Sequence, residues 1–216
     1  MAAVLLGLGA LAYTAWVLEV VLRTGLDPVQ TYVSELAAAD QPLGGLFRAT
    51  DLAAGVLVLG GALTGLAAVR PRRAWAVTGW VALALFGAAT AVDSRLPLSC
   101  APTADPECAA RETAGLVPAT HTAHAISSGL AMTGALTAML ALTVAARRHR
   151  ARSSLARTGP ALVALEFAAT AWTLAAVAAF EAGRGTWLLG AGQRLQVLLV
   201  AVWLAVLART VAREPR

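Results

Sequence analysis

Two of the chain's three histidines, His121 and His124, stand three residues apart in "HTAHAISS", and Ser128 follows four residues after His124. On a helix that spacing puts all three side chains on one face. Other polar groups fall at the ends of apolar runs: Asp93 closes one, Asp51 opens another, and Gln193 and Arg194 open the last. Ser34 and Glu35, in "TYVSEL", lie in a polar stretch between two runs. His124 and Asp93 with Ser34 or Ser128 contain the members of a hydrolytic triad, in which the histidine is the base and the aspartate orients it. His121, His124 and Asp93 also have the donor types of a two-histidine, one-carboxylate metal site. The i, i+3 spacing suits a metal less naturally than i, i+4, and His149 belongs to a different, arginine-rich stretch, so it completes no three-histidine zinc site. A third reading needs no reaction: the cluster binds a lipid headgroup or ties loops to helices.

Each of these residues also has a plain structural role open to it. Asp51, after Thr50, suits the cap of a helix start, where the dipole favours an anion. Asp93 stands at a helix C-terminus, where the dipole disfavours it, and calls for a partner such as Arg95, Arg194 or a histidine. His121 suits hydrogen bonding to loop carbonyls, and Arg194 suits an ion pair with Glu181 or Asp93. Glu19 precedes Arg23 by one turn. Glu166 sits alone within an apolar run, where pairing with polar groups of a neighbouring helix is the expectation. No Walker motif, dinucleotide fingerprint, HExxH or CxxC is present, and cofactor and metal stay undecided.

What must position these groups is a membrane bundle. Of 216 residues 58% are hydrophobic and 13% charged, with a mean hydropathy of +0.70, too little charge to clothe a water-soluble globule. Six runs reach span length, at about 2–23, 51–69, 74–93, 121–146, 158–181 and 190–211. The expectation is an all-α, integral membrane six-helix bundle forming one domain over 1–216. The first run lacks a basic leader and reads as a retained helix rather than a signal peptide.

All seventeen basic residues are Arg, a bias expected of a GC-rich bacterial genome. Eleven of them fall between runs two and three, between four and five, and in the tail, with Glu214 the one carboxylate among them. The positive-inside rule makes those stretches cytoplasmic, with both termini, and places the acidic stretches 24–50 and 94–120 outside. The basic balance then needs no nucleic acid. The expected location is the bacterial cytoplasmic membrane, with the polar site on the extracytoplasmic side. There Cys100 and Cys108, the only cysteines, are expected to form a disulfide closing a small loop. Gly61 and Gly65, four apart, suit close helix packing. Six spans also leave open a homo-oligomer around a shared path.

The order of short motifs carries a resemblance. "SE" in the first outer stretch, "FRATD" into span two, "FGAATAVDSRLP" closing span three, the cysteine loop, "HTAHAISS" and "GAGQR" resemble the bacterial six-span membrane proteins of domain-of-unknown-function family 998. The chain is more distantly similar to the FRAG/DRAM/Sfk group. The resemblance covers nearly the whole chain and implies a six-helix membrane protein; it names no activity. A weaker resemblance is to the seven-span hydrolases of the alkaline ceramidase and progestin-receptor superfamily. Those hydrolases combine a Ser, an Asp and three His at one membrane face; Ser34, Asp93 and His124 would stand in for three of these, and the missing C-terminal histidine pair counts against zinc hydrolysis.

The functional reading is therefore a membrane protein with an outward polar pocket that binds or senses a membrane lipid or small amphiphile. His121, Glu35, Asp51, Ser128, Gln193 and Arg194 are its binding groups. The alternative is a membrane-embedded hydrolase or lipid-modifying enzyme using His124, Asp93 and Ser34.

Overall fold

A computed structural model describes residues 1–68 and 73–213. Arg70, Arg72, Glu214 and Arg216, used in the charge argument above, lie outside the described residues. The described chain is helical: α1 (Ala2–Tyr13), α2 (Gly44–Ala67), α3 (Ala74–Asp93), α4 (Pro106–Thr113), α5 (Ala119–His149), α6 (Ser154–Glu181) and α7 (Leu189–Ala212), with 3₁₀ turns at Ala15–Val20 and Val33–Ala37. Six segments, α1 with its following turn and the five long helices, are long and apolar enough to cross a membrane. The chain is a multi-pass membrane protein.

The long helices pack in a closed ring in the order α1, α2, α3, α5, α6, α7 and back to α1. Large side chains fill its middle, among them Leu6, Leu83, Phe86, Met139, Trp203 and Leu204, each at most 1% exposed. The outward faces keep Val56, Leu63, Leu85, Leu140, Leu165 and Phe167 exposed. A helix apolar all round is one whose back faces hydrocarbon rather than water. Glycines set the closest crossing: a Cβ on Gly87 of α3 would lie 2.5 Å from the Leu59 amide nitrogen, and one on Gly55 of α2 would lie 2.5 Å from that of Ala91. Of the pair expected to pack, Gly61 meets Leu6 of α1 and Gly65 meets the Trp80 ring of α3.

Two boundaries depart from the spans expected above. Run one is not a single helix to residue 23. The α-helix stops at Tyr13, where the Thr14 hydroxyl donates to the Leu11 carbonyl at 2.7 Å, and continues as the narrower 3₁₀ turn. Helix α2 begins at Gly44 rather than near 51. The start is held by Arg48, whose Nη1 donates to the Ala37 and Ala38 carbonyls at 2.6 and 3.2 Å. Asp51 therefore lies two turns inside α2 and caps nothing.

The ends of the ring differ in character. At one, Arg148 stacks over the Trp75 ring and the Thr210 hydroxyl accepts from the Leu155 amide. At the other, the segment 24–43, the loop 94–118 with α4, and the α6–α7 connection lie together. The Cys100–Cys108 disulfide closes that loop.

Candidate functional site

A cavity of about 160 Å³ opens within the ring at the disulfide-loop end. Its polar lining includes Ser34, Asp51, Asp93, Ser128, Gln193 and Gln196; its apolar lining includes Leu36, Phe47, Ala131, Met132 and Val197. Tyr13 and Trp16 complete an aromatic side. The volume is below the roughly 300–1,000 Å³ of sites that engulf a drug-sized ligand, so it fits a headgroup or a small polar group and no whole lipid.

Asp93 is the best-partnered acid. The Ser127 hydroxyl donates to its Oδ1, and the Ser128 Oγ stands 3.1 Å from each carboxylate oxygen. His124 Nδ1 lies 3.2 Å from Asp93 Oδ1 and 3.0 Å from the Leu96 carbonyl oxygen. Both neighbours are acceptors, so Nδ1 carries the proton. His124 Nε2 is 3.3 Å from Ser128 Oγ. The i, i+4 pair on α5 and the last residue of α3 thus form one cluster, with Ser128 and Asp93 facing the cavity and His124 behind them. Ser34 lines the same cavity and makes no hydrogen bond to His124, so the serine beside the histidine is Ser128. Ser127, which sequence reasoning passed over, is the residue adjacent to a chosen one, bonded to the same acid.

His121 stands apart from this cluster. The Ser99 amide donates to its Nδ1 at 3.1 Å, leaving Nε2–H to donate to Glu112 Oε1 at 3.2 Å. It is 2% exposed and staples the disulfide loop to α5. The two histidines therefore serve different partners and do not converge. Among the described residues no three His, Cys, Asp or Glu side chains group as metal ligands.

Arg194 does not face the cavity either. Its partner is neither Glu181 nor Asp93 but Glu19, gripped at 2.6 Å from both Nε and Nη2. Its Nη1 donates to the Thr31 carbonyl at 2.8 Å and the Gly190 carbonyl at 3.2 Å. Next to it, Gln193 Oε1 accepts from the Val33 amide at 2.9 Å. Arg48 performs the same service for Ala37 and Ala38. Two arginines thus hold carbonyls at both ends of the turn Val33–Ala37, the roof of the cavity.

Glu35 lies in that roof, fully buried, and points away from the cavity. Thr103 of the disulfide loop donates to it twice, from its amide at 2.7 Å and its hydroxyl at 2.5 Å. Burial pushes its carboxyl up to about 7, against the Thr103 hydrogen bonds and the Arg194 charge, which favour the ionised form. Glu35, expected above among the binding groups, is a latch between two loops and does not line the cavity.

Glu166 of α6 is fully buried, and neither carboxyl oxygen has a partner at bonding distance. Beside it stand Gln196 and Thr170, bonded to each other at 2.9 Å.

A family model described as a protein of unknown function (DUF998) matches residues 7–210, and the chain belongs to that family. No curated protein and no solved structure matches the chain.

Proposed function

We propose that this DUF998 protein binds the polar end of a membrane lipid or small amphiphile in the cavity at the disulfide-loop end, on the extracytoplasmic side of a bacterial cytoplasmic membrane. The observation that carries this reading is the mixed lining: carboxyls, serines and glutamines share one small cavity with Phe47, Leu36, Met132 and Val197, inside a ring that is otherwise packed with apolar side chains. Polar groups within spans are costly and mark ligand paths when they face a cavity. Arg147, Arg148 and Arg152 at the far end support an orientation with that end in the cytoplasm.

Native mass spectrometry of protein extracted in mild detergent tests the reading. The wild type retains a stoichiometric lipid, and Ser34→Phe, which fills the cavity without removing any carboxylate, loses it while melting at a similar temperature. Equal retention in both proteins would contradict the proposal.

Hydrolysis has one observation in its favour, the run Ser128 Oγ, His124 Nε2, His124 Nδ1, Asp93. Two features weigh against it. The single hydroxyl proton of Ser128 is shared with Asp93, at 3.1 Å, instead of being committed to the histidine. Ser128 also lies well inside α5, where the neighbouring amides are spent on helix hydrogen bonds and leave no oxyanion donors. A fluorophosphonate probe that labels Ser128 would reverse this ranking; no labelling is expected.

A further inference from the structure

Acids from three helices lie at or near the cavity: Asp51 of α2, Asp93 of α3 and Glu166 of α6. Tyr13, Asp51 and Asp93 line the cavity, and Glu166 stands beside Gln196, which lines it too. No arginine or histidine is in the wall. Arg194 and Arg48, the cations of the roof, are committed to Glu19 and to backbone carbonyls.

The partners of the acids are unequal. Asp93 has two serines and His124. Asp51 has no hydrogen bond and no ion pair with any described residue, and Asp93, of the same sign, lines the same cavity. Glu166, fully buried, has both oxygens unpartnered. A cleft lined by one sign of charge attracts the opposite one, so two carboxyls facing a cavity whose lining holds no cation suit a cation from outside. A second feature of the wall points to the same chemistry. Tyr13, Trp16 and Phe47 put three aromatic rings around the cavity, and aromatic faces attract ammonium groups.

We infer that the group bound in the cavity is an ammonium, held by Asp51 and Asp93 among the rings of Tyr13, Trp16 and Phe47. This deepens the proposed binding of an amphiphile and rests on it. The volume admits an aminoethyl headgroup and leaves the acyl chains outside. The same chemistry is offered by an amine-headed lipid and by a free amine.

The test titrates the detergent-purified full-length protein with phosphatidylethanolamine, with its N-acetylated form, and with free ethanolamine, reading bound ligand by native mass spectrometry. N-acetylation keeps the chains and phosphate, removes the ammonium charge and adds an acetyl group, so the Asp51→Asn comparison separates charge from size. We expect phosphatidylethanolamine to bind about ten-fold more tightly than the N-acetylated lipid. Asp51→Asn should erase that preference, and Asp40→Asn, at an exposed loop acid, should keep it. Ethanolamine that displaces the lipid supports the inference with a free amine as the source, and a preference confined to the lipid supports it with a headgroup as the source. Equal affinity of the wild type for both lipids overturns the ammonium assignment and leaves amphiphile binding standing; this comparison needs no variant. Binding of neither lipid, and none of phosphatidylglycerol, overturns both.

Discussion

Arg194, near the start of the last helix, and Glu19, in the turn that ends the first span, form a two-pronged ion pair with both contacts at 2.6 Å. Their side chains are 8% and 4% exposed, and 175 residues separate them. The pair closes the ring where α7 meets α1 and frees Arg194 Nη1 to hold the cavity roof through Thr31. Removing one partner of a buried pair strands the other charge, at a cost of about 3–5 kcal/mol, while replacing both with apolar residues is far milder. Glu19→Met alone should therefore lower the detergent melting temperature sharply, and Glu19→Met with Arg194→Met should restore much of it. Additive losses in the double variant would refute a direct pair.

Glu35 makes stability depend on pH. Its folded carboxyl titrates near 7 against an ordinary value of 4.5, so between those values the folded state holds more protons than the unfolded one. Stability then falls as pH rises through this window and levels off above 7. Glu35→Gln should flatten that slope, because its amide can donate to the Thr103 hydroxyl while its oxygen accepts from the Thr103 amide. Melting curves across the window, wild type beside variant, check the sign; a wild type that gains stability with rising pH contradicts it.

The disulfide should matter beyond its own loop. Replacing Cys100 and Cys108 with serine releases a short loop, costing about 2–3 kcal/mol by chain entropy. It also loosens Thr103 and with it the latch on Glu35. Hydrogen exchange should rise in 31–39 as well as in 98–108. Protection unchanged at 31–39 would separate the roof from the loop.

Glycine substitutions should divide by position. Gly87→Ala pushes a methyl against the α2 backbone, 2.5 Å from the Leu59 nitrogen, and should reduce the folded yield. Gly129→Ala meets nothing within 4 Å and should raise helix stability by about 0.5–1 kcal/mol. Yields after detergent extraction and gel filtration read both.

The spans were legible because hydrocarbon imposes length and composition on any helix that crosses it. Asp93, His124 and Ser128 were legible as a cluster because an i, i+4 pair shares a face and Asp93 closes the preceding span. Sequence alone misled where a long-range contact decides. Arg194 has several acids at plausible depth, and only the ring closure selects Glu19. Asp51, after Thr50, has the residue type and setting of a cap; Arg48, anchored to the Ala37 and Ala38 carbonyls, starts the helix earlier. His121 shares a face with His124, yet the disulfide loop folds over it and claims both ring nitrogens. Tyr13, Trp16 and Gln196 carry no sequence signal that separates them from other residues of apolar runs.

The most direct test of the account is where a lipid touches the protein. A phospholipid carrying a diazirine beside its headgroup, photolysed with the purified protein and mapped by peptide mass analysis, reads this without relying on a variant. Adducts on cavity residues such as Ser34, Phe47, Met132 and Val197, competed away by unlabelled lipid, are expected. Adducts confined to the outward faces, at Val56, Leu63 and Phe167, with none competed, would contradict it.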